Sequence, residues 1–188
     1  MEIARWGKPF RLDTLYDGWD EAPRKAGVYV VYTGKKIYRA GGPDKKGILY
    51  IGKSLVLRNR LYNFWYVQHP ASWLLWTYPK LTQLILNETC KSKKQVENLI
   101  GSFKAVVATP IPKNLLDHAE KSAIFAYFSR YGELPPLNFN FPMKWTESPN
   151  KKLIHWGEQM LEQWGQVLKY KKLSVKAVVN GQTITNRI

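Results

Sequence analysis

The chain has 188 residues, of which 45% are hydrophobic, 14% aromatic and 23% charged, which suits one compact globular domain and excludes an intrinsically disordered chain. Cys90 is the only cysteine, residues 1–6 carry no apolar signal region, and no stretch reaches the roughly 18 apolar residues of a membrane span. A cytoplasmic protein with no disulfide framework and no membrane association is therefore expected. Twenty-nine Lys plus Arg against fourteen Asp plus Glu give a formal charge of +15, so a polyanion is the first partner to consider. Nucleic acid ranks above anionic membrane, because no basic amphipathic helix is evident and phosphate contacts by Lys and Arg dominate non-specific nucleic-acid affinity.

Residues 1–25 read as a packed arm, since Glu2, Asp13, Asp17, Asp20 and Glu21 outnumber Arg5, Lys8 and Arg11 there. Gly27–Tyr32 is β-branched and aromatic and predicts a strand, followed by a turn at Thr33-Gly34, a second strand over 36–39 and a loop over 40–44. Residues 47–52 predict a further strand bounded by glycines. Ser54 is placed to cap a helix running to 67, with Leu57, Leu61, Phe64 and Trp65 on one face and Pro70 ending it. Residues 73–86 fit neither period. A strand over 104–109 ends at Pro110 and Pro112, and a long helix over 114–131 is closed by Gly132. A helix over 150–169 and a hairpin turning at Asn180-Gly181 complete a basic extension over 143–188.

The positive charge is concentrated. Between 35 and 60, Lys35, Lys36, Arg39, Lys45, Lys46, Lys53, Arg58 and Arg60 face only Asp44, which makes this segment a candidate nucleic-acid surface. After Glu162 no acid remains, and Lys169, Lys171 and Lys172 offer a second phosphate-tracking patch or simply a solvated face. The aromatic run from Tyr62 to Tyr78 suits packing, or stacking on distorted DNA.

The best chemical signal lies in the long helix. At about 100° per residue, Leu116, Ala119, Ala123, Ile124 and Tyr127 form one apolar stripe, and Glu120 falls inside it. A carboxylate in that position needs a cation, a metal ion or a strong donor, and an internal salt bridge to an arginine is the plain alternative to a functional site. Arg60, one turn before Phe64, is placed to project its guanidinium over the sheet edge with its stem packed, while Arg58 points further from the core.

Gly27-Val28-Tyr29, then Tyr50-Ile51-Gly52-Lys53-Ser54, then Leu57-Arg58-Asn59-Arg60-Leu61, resembles the signature of the GIY-YIG nucleases, with Val for the middle Ile of the first triplet. Glu120 and Pro135-Pro136-Leu137-Asn138 are similar to that family's downstream glutamate and Asn-ending motif, so the resemblance covers about 26–142. It implies an α+β nuclease core with a small three-stranded antiparallel sheet flanked by helices. It also implies hydrolysis of phosphodiester bonds with one divalent cation, magnesium or manganese.

Residue by residue, the resemblance makes Tyr29 the general base, Tyr50 an orienting group, Arg60 the stabiliser of the pentacovalent phosphate, and Glu120 the metal ligand. Asn138 would hold the site together, and Lys53, which matches a lysine of the repair branch, would depress the pKa of Tyr29. Such a phenol needs help, because an unperturbed tyrosine with a pKa near 10 is a poor base at neutral pH. Phe64 departs from the family's His or Tyr one turn after the arginine. The compact length is most like the family's restriction endonucleases. The expected function is thus a magnesium-dependent endonuclease cutting double-stranded DNA, of type II restriction character and possible as a homodimer. Alternatives are a structure-specific or mobile-element nuclease, or a non-cleaving nucleic-acid-binding module.

Overall fold

The computed structural model describes residues 4, 6–13, 15, 22–65, 83, 88–89, 91–139, 155, 174–179 and 182–187. They form a mixed α+β structure whose strands are β1 (Phe10–Arg11), β2 (Gly27–Tyr32), β3 (Ile37–Arg39), β4 (Gly42–Asp44), β5 (Ile48–Ser54), β6 (Lys104–Ala108), β7 (Ser174–Val179) and β8 (Gln182–Arg187). The helices among the described residues are α1 (Leu57–Trp65), α2 (Lys93–Gly101) and α3 (Lys113–Tyr131). None of them is long and apolar enough to cross a membrane.

The main sheet has four antiparallel strands in the order β1-β6-β2-β5. All six residues of β2 are buried, because the sheet is covered on both faces and β-branched and aromatic side chains pack well on a pleated surface. Alternation sends Tyr29 and Val31 to one face, where they meet Leu57 and Leu61 of α1, Val96 and Ile100 of α2, and Phe10, Leu12 and Leu15 of the arm. Val28, Val30, Ile51 and Val106 go to the other face, against Leu116, Ala119, Ala123, Ile124 and Tyr127 of α3. The arm is thus part of the core rather than a separate appendage.

Several sequence expectations are revised. The main sheet has a fourth strand, because Phe10 and Arg11 of the arm pair with Ala105 and Lys104. The 36–39 segment does not join that sheet. Its strand β3 pairs with β4, in the stretch expected to be a loop. Glycine and proline suppress the strand signal there, and a tertiary device overrides them: the buried Asp44 carboxylate accepts the amides of Lys46, Gly47 and Ile48 and the Tyr127 hydroxyl at 2.8–3.2 Å.

Ser54 is the last residue of β5 and does not cap α1. Its hydroxyl accepts the Val56 amide, while the first free amides of the helix, those of Leu57 and Arg58, donate to the carbonyls of Lys25 and Pro23 in the arm. Helix α2 was not anticipated, although Ser92 and Gln95 form a capping box at its start and Val96 and Ile100 are its buried residues. Helix α3 ends as expected at Gly132, whose φ of 72° is a left-handed closure and whose amide donates to the Phe128 carbonyl. Strands β7 and β8 pair antiparallel, from Ser174 opposite Arg187 to Val179 opposite Gln182, and the expected turn residues Asn180 and Gly181 lie outside the described residues. The expected helix over 150–169, the Lys169, Lys171 and Lys172 patch and the aromatic run beyond Trp65 lie outside the described residues.

Candidate active site

The register of β2 against β5 places Tyr29 opposite Gly52 and Val31 opposite Tyr50, so the two phenols share one face of the sheet. Their rings stand 5.9 Å apart at 35°. The Tyr29 hydroxyl lies directly over Gly52: a Cβ there would sit 2.8 Å from it and 2.6 Å from a Tyr50 ring carbon. Gly27 is equally constrained, since a Cβ would collide with the Ala108 carbonyl and come within 2.8 Å of the Leu57 side chain. Both motif glycines are therefore packing requirements of the site. Tyr29 is fully buried; among the described residues its hydroxyl has no partner in strict hydrogen-bonding geometry, and the neighbouring Tyr50 phenol is the group that acts on it as a hydrogen-bonding neighbour.

Lys53 follows Gly52 on the opposite face of β5 and reaches α3. Its Nζ lies 2.7 Å from Glu120 Oε2 and 3.0 Å from Asp117 Oδ1. The inward carboxylate of the apolar stripe is thus met by a lysine, an internal ion pair in place of the arginine considered from sequence. Glu120 is 16% exposed and Asp117 70%, so one carboxylate is seated in the fold and the other opens to solvent. Burial pulls the Lys53 pKa down, but hydrogen bonds and charge from Glu120 and then Asp117 outweigh it, and the net shift is upward. Asp117 is pulled below its usual range by its hydrogen bond with Lys53.

Both phenols are held neutral at neutral pH. Burial pushes Tyr29 well above its ordinary value, the Tyr50 phenol and the Glu120 charge add to the shift, and the Arg60 guanidinium opposes it. Burial also raises Tyr50, against Arg60 and, more weakly, Lys53. Lys53, which was expected to depress Tyr29, is paired with two carboxylates on the other side of the strand and acts on the neighbouring Tyr50, while Arg60 is a cation that acts on Tyr29.

The two arginines of α1 exchange their expected settings. Arg60 is exposed, whereas Arg58 is half-buried and donates from Nε to the Ala22 carbonyl at 3.0 Å. The arm that packs beside α1 covers position 58, a neighbour that helical periodicity does not reveal. An open hollow of about 390 Å³ lies between the end of β5 and α1, lined by Lys53, Leu55, Val56, Asn59, Arg60 and Asn63, with no acid in its lining.

Asn138 closes the free edge of β5. Its amide accepts the Ile51 N–H at 3.0 Å and donates to the Ile51 carbonyl at 2.8 Å, while the Leu137 amide donates to the Leu49 carbonyl. A side-chain amide here replaces a neighbouring strand.

The other basic residues of the 35–60 segment divide by setting. Lys35 pairs with Glu88 at 2.8 Å on the surface, Lys36 lies 4.8 Å from the centre of the exposed Tyr38 ring, and Lys45 is exposed. Lys46 flanks it, half-buried in the Asp44 turn. Arg39 is drawn into the fold: it pairs with Glu133 at 3.2 Å and donates to the Leu134 carbonyl. Asp117 was missed from sequence, although its spacing three residues before Glu120 puts the two on neighbouring turns of one helical face.

Among the described residues no group of three or more His, Cys, Asp or Glu side chains gathers as a metal site. Glu120 and Asp117 do fit a hard cation that keeps most of its waters, because both present carboxylate oxygens to one cationic position. The chain matches no protein-family model, no curated protein and no solved structure.

Proposed function

We propose that the chain is a divalent-metal-dependent DNA endonuclease of GIY-YIG type, with the β6-β2-β5 trio, α1 and α3 as its catalytic core. The observation that supports this reading is that the charges of Arg60 and Glu120 both act on Tyr29 and Tyr50 at the end of β5, with the Lys53–Glu120 pair on the other side of the strand and an open hollow, without acids among its described lining residues, beside Arg60. Tyr29, Tyr50, Arg60 and Glu120 come from two strands and two helices, and their mutual electrostatic influence suits one chemical task better than four separate packing roles.

In the proposed reaction a water oxygen attacks phosphorus, a P–O bond of the phosphodiester breaks, and the 3′ oxygen leaves with the electron pair. Arg60, exposed at the hollow, supplies planar, permanently charged donors to the phosphate oxygens as negative charge builds up on them. Tyr29 would first release its own proton to solvent, a loss that the Arg60 guanidinium favours against the burial of this phenol, and the resulting phenolate would take the proton of the attacking water. Tyr50 orients the water or the phosphate. Glu120 would hold magnesium or manganese, which supplies charge neutralisation at a phosphate oxygen. Asn138 keeps β5 in place through Ile51.

Double-stranded DNA cut at defined sequences, as by a type II restriction enzyme and by two copies for the two strands, is the form we favour; a structure-specific or mobile-element nuclease is the variant of it. The Lys53–Glu120 ion pair favours a second reading, in which Glu120 only stabilises the fold and the basic surface binds nucleic acid without cutting. Incubating plasmid and a sequenced genomic DNA with the protein and magnesium, beside Glu120→Gln, separates these readings. A fixed ladder of fragments with wild type alone is expected. Smeared or singly nicked products point to the structure-specific variant, and retardation of DNA without metal-dependent cleavage overturns the enzyme.

A further inference from the structure

Strands β3 and β4 form a two-stranded ribbon outside the main sheet, and alternation along it separates two faces. Ile37, Arg39 and Asp44 turn inward: Ile37 and Asp44 are buried, and Arg39 pairs with Glu133. Tyr38 turns outward with Pro43 as its cross-strand partner, and Lys36 and Lys45 flank them, two residues away along each strand and on the same face by alternation. All four are exposed, Tyr38 to 75%. We propose that this outer face is a platform for a single-stranded nucleic acid, on which an unpaired base stacks against the Tyr38 ring while Lys36 and Lys45 hold the phosphates on either side of it. The proposal goes beyond the nuclease reading and does not depend on it, since holding a strand requires no cutting; a structure-specific nuclease would meet such a strand at a branch.

Three features support it. Tyr38 contributes little to the core, and the Lys36 ammonium lies 4.8 Å from the centre of its ring. An open π-face beside positive charge matches what every nucleotide presents, a flat base next to a phosphate. The ribbon is also firmly seated. The amides of Ala40 and Gly41 donate to the Glu133 carboxylate and the Tyr131 carbonyl at 2.6 and 2.7 Å, and Asp44 accepts the Tyr127 hydroxyl of α3. A ring presented on a fixed support loses little freedom when a base stacks on it. Finally, this docking covers the inner face, so the ribbon does not enter a groove of duplex DNA as a free β-ribbon does; it offers one flat face, which suits bases already unpaired. Glu88 and Glu133 are engaged by Lys35 and Arg39, and among the described residues neither Lys36 nor Lys45 pairs with an acid.

The test is fluorescence anisotropy with the full chain in EDTA, using labelled thymidylate and uridylate oligomers of about 16 nucleotides and the thymidylate annealed to its complement. The tighter of the two single strands names the sugar, and its dependence on Tyr38 decides the proposal. Tyr38→Ala is expected to weaken that strand by about tenfold or more, as the loss of one stacked base does, and the duplex by less than about twofold. Tyr38→Phe, which keeps the ring, should bind like the unaltered chain. Lys36→Gln combined with Lys45→Gln should flatten the salt dependence of single-strand binding by about 1.4 in log–log slope, about 0.7 for each phosphate released. Melting temperatures should stay unaltered in all of these variants, because the side chains are exposed. Unchanged single-strand binding in Tyr38→Ala, an equal loss on the duplex, Tyr38→Phe as weak as Tyr38→Ala, or an unaltered salt slope each overturns the proposal. Strand binding that depends on Tyr38, in a chain that cuts no DNA with magnesium, would leave the platform standing and remove the nuclease reading; metal-dependent cleavage with strand binding indifferent to Tyr38 would do the reverse.

Discussion

Gly52 lies beneath the Tyr29 hydroxyl, which would stand 2.8 Å from any Cβ placed there. The second glycine of the motif is therefore a space requirement for the phenols. Gly52→Ala is expected to lower stability by about 1–3 kcal/mol, as overpacked cores do, and to abolish cleavage by shifting Tyr29 and Tyr50. Urea unfolding and a plasmid assay read the two effects. Retention of both stability and cleavage would mean that the phenols tolerate displacement.

Asn138 and Ile51 provide the second expectation. Asn138→Ala leaves the Ile51 N–H and carbonyl without their present partners at the sheet edge, at a cost of about 1–3 kcal/mol. Hydrogen exchange at the Ile51 amide should accelerate in step with the loss of stability. Slow exchange in the variant would show that another segment covers that edge.

The contrast between Arg58 and Arg60 is testable by a pair of alanine variants. Arg60→Ala is expected to leave stability within about 0.5 kcal/mol, since the side chain is exposed, and to reduce cleavage by about a hundredfold or more, the usual cost of removing a donor to a developing oxyanion. Arg58→Ala frees the Ala22 carbonyl and is expected to cost about 1–2 kcal/mol, with a much smaller effect on cleavage. Melting curves and single-turnover rates measured together decide between them.

Alkaline pH should unfold the protein through its buried phenols. Burial and then the Asp44 charge push Tyr131 up to about 12, and burial raises Tyr127 and Tyr29 as well. An unfolded tyrosine titrates near 10. Between these values the folded state binds more protons than the unfolded one, so this contribution is intact below about pH 10 and is lost as pH rises towards the folded values. Melting temperatures from pH 8 to 12, followed with tyrosinate absorbance, should fall only above about pH 10. A flat profile would show these phenols to be solvated.

Much of the fold could be read along the chain. The β-branched run of Gly27–Tyr32, the glycine-bounded 47–52 and the long apolar stripe of α3 each repeat with the period of the structure they form, because local sterics and one-sided burial act over neighbouring residues. The break in that stripe at Glu120 announced that a cation, a metal ion or a strong donor must face it. Tertiary packing alone decided which one. Lys53 stands 67 residues away on the far side of β5, and no periodicity connects the two. The same limit hid the placement of Arg58 and Arg60, which the arm reverses, the strand β4, which Asp44 builds out of a Gly-Pro segment, and the part played by Asp117. Pattern along a chain records which face of an element is buried; which charge meets which across that face is set by how the elements dock, and the free energy that selects it belongs to pairs remote in sequence.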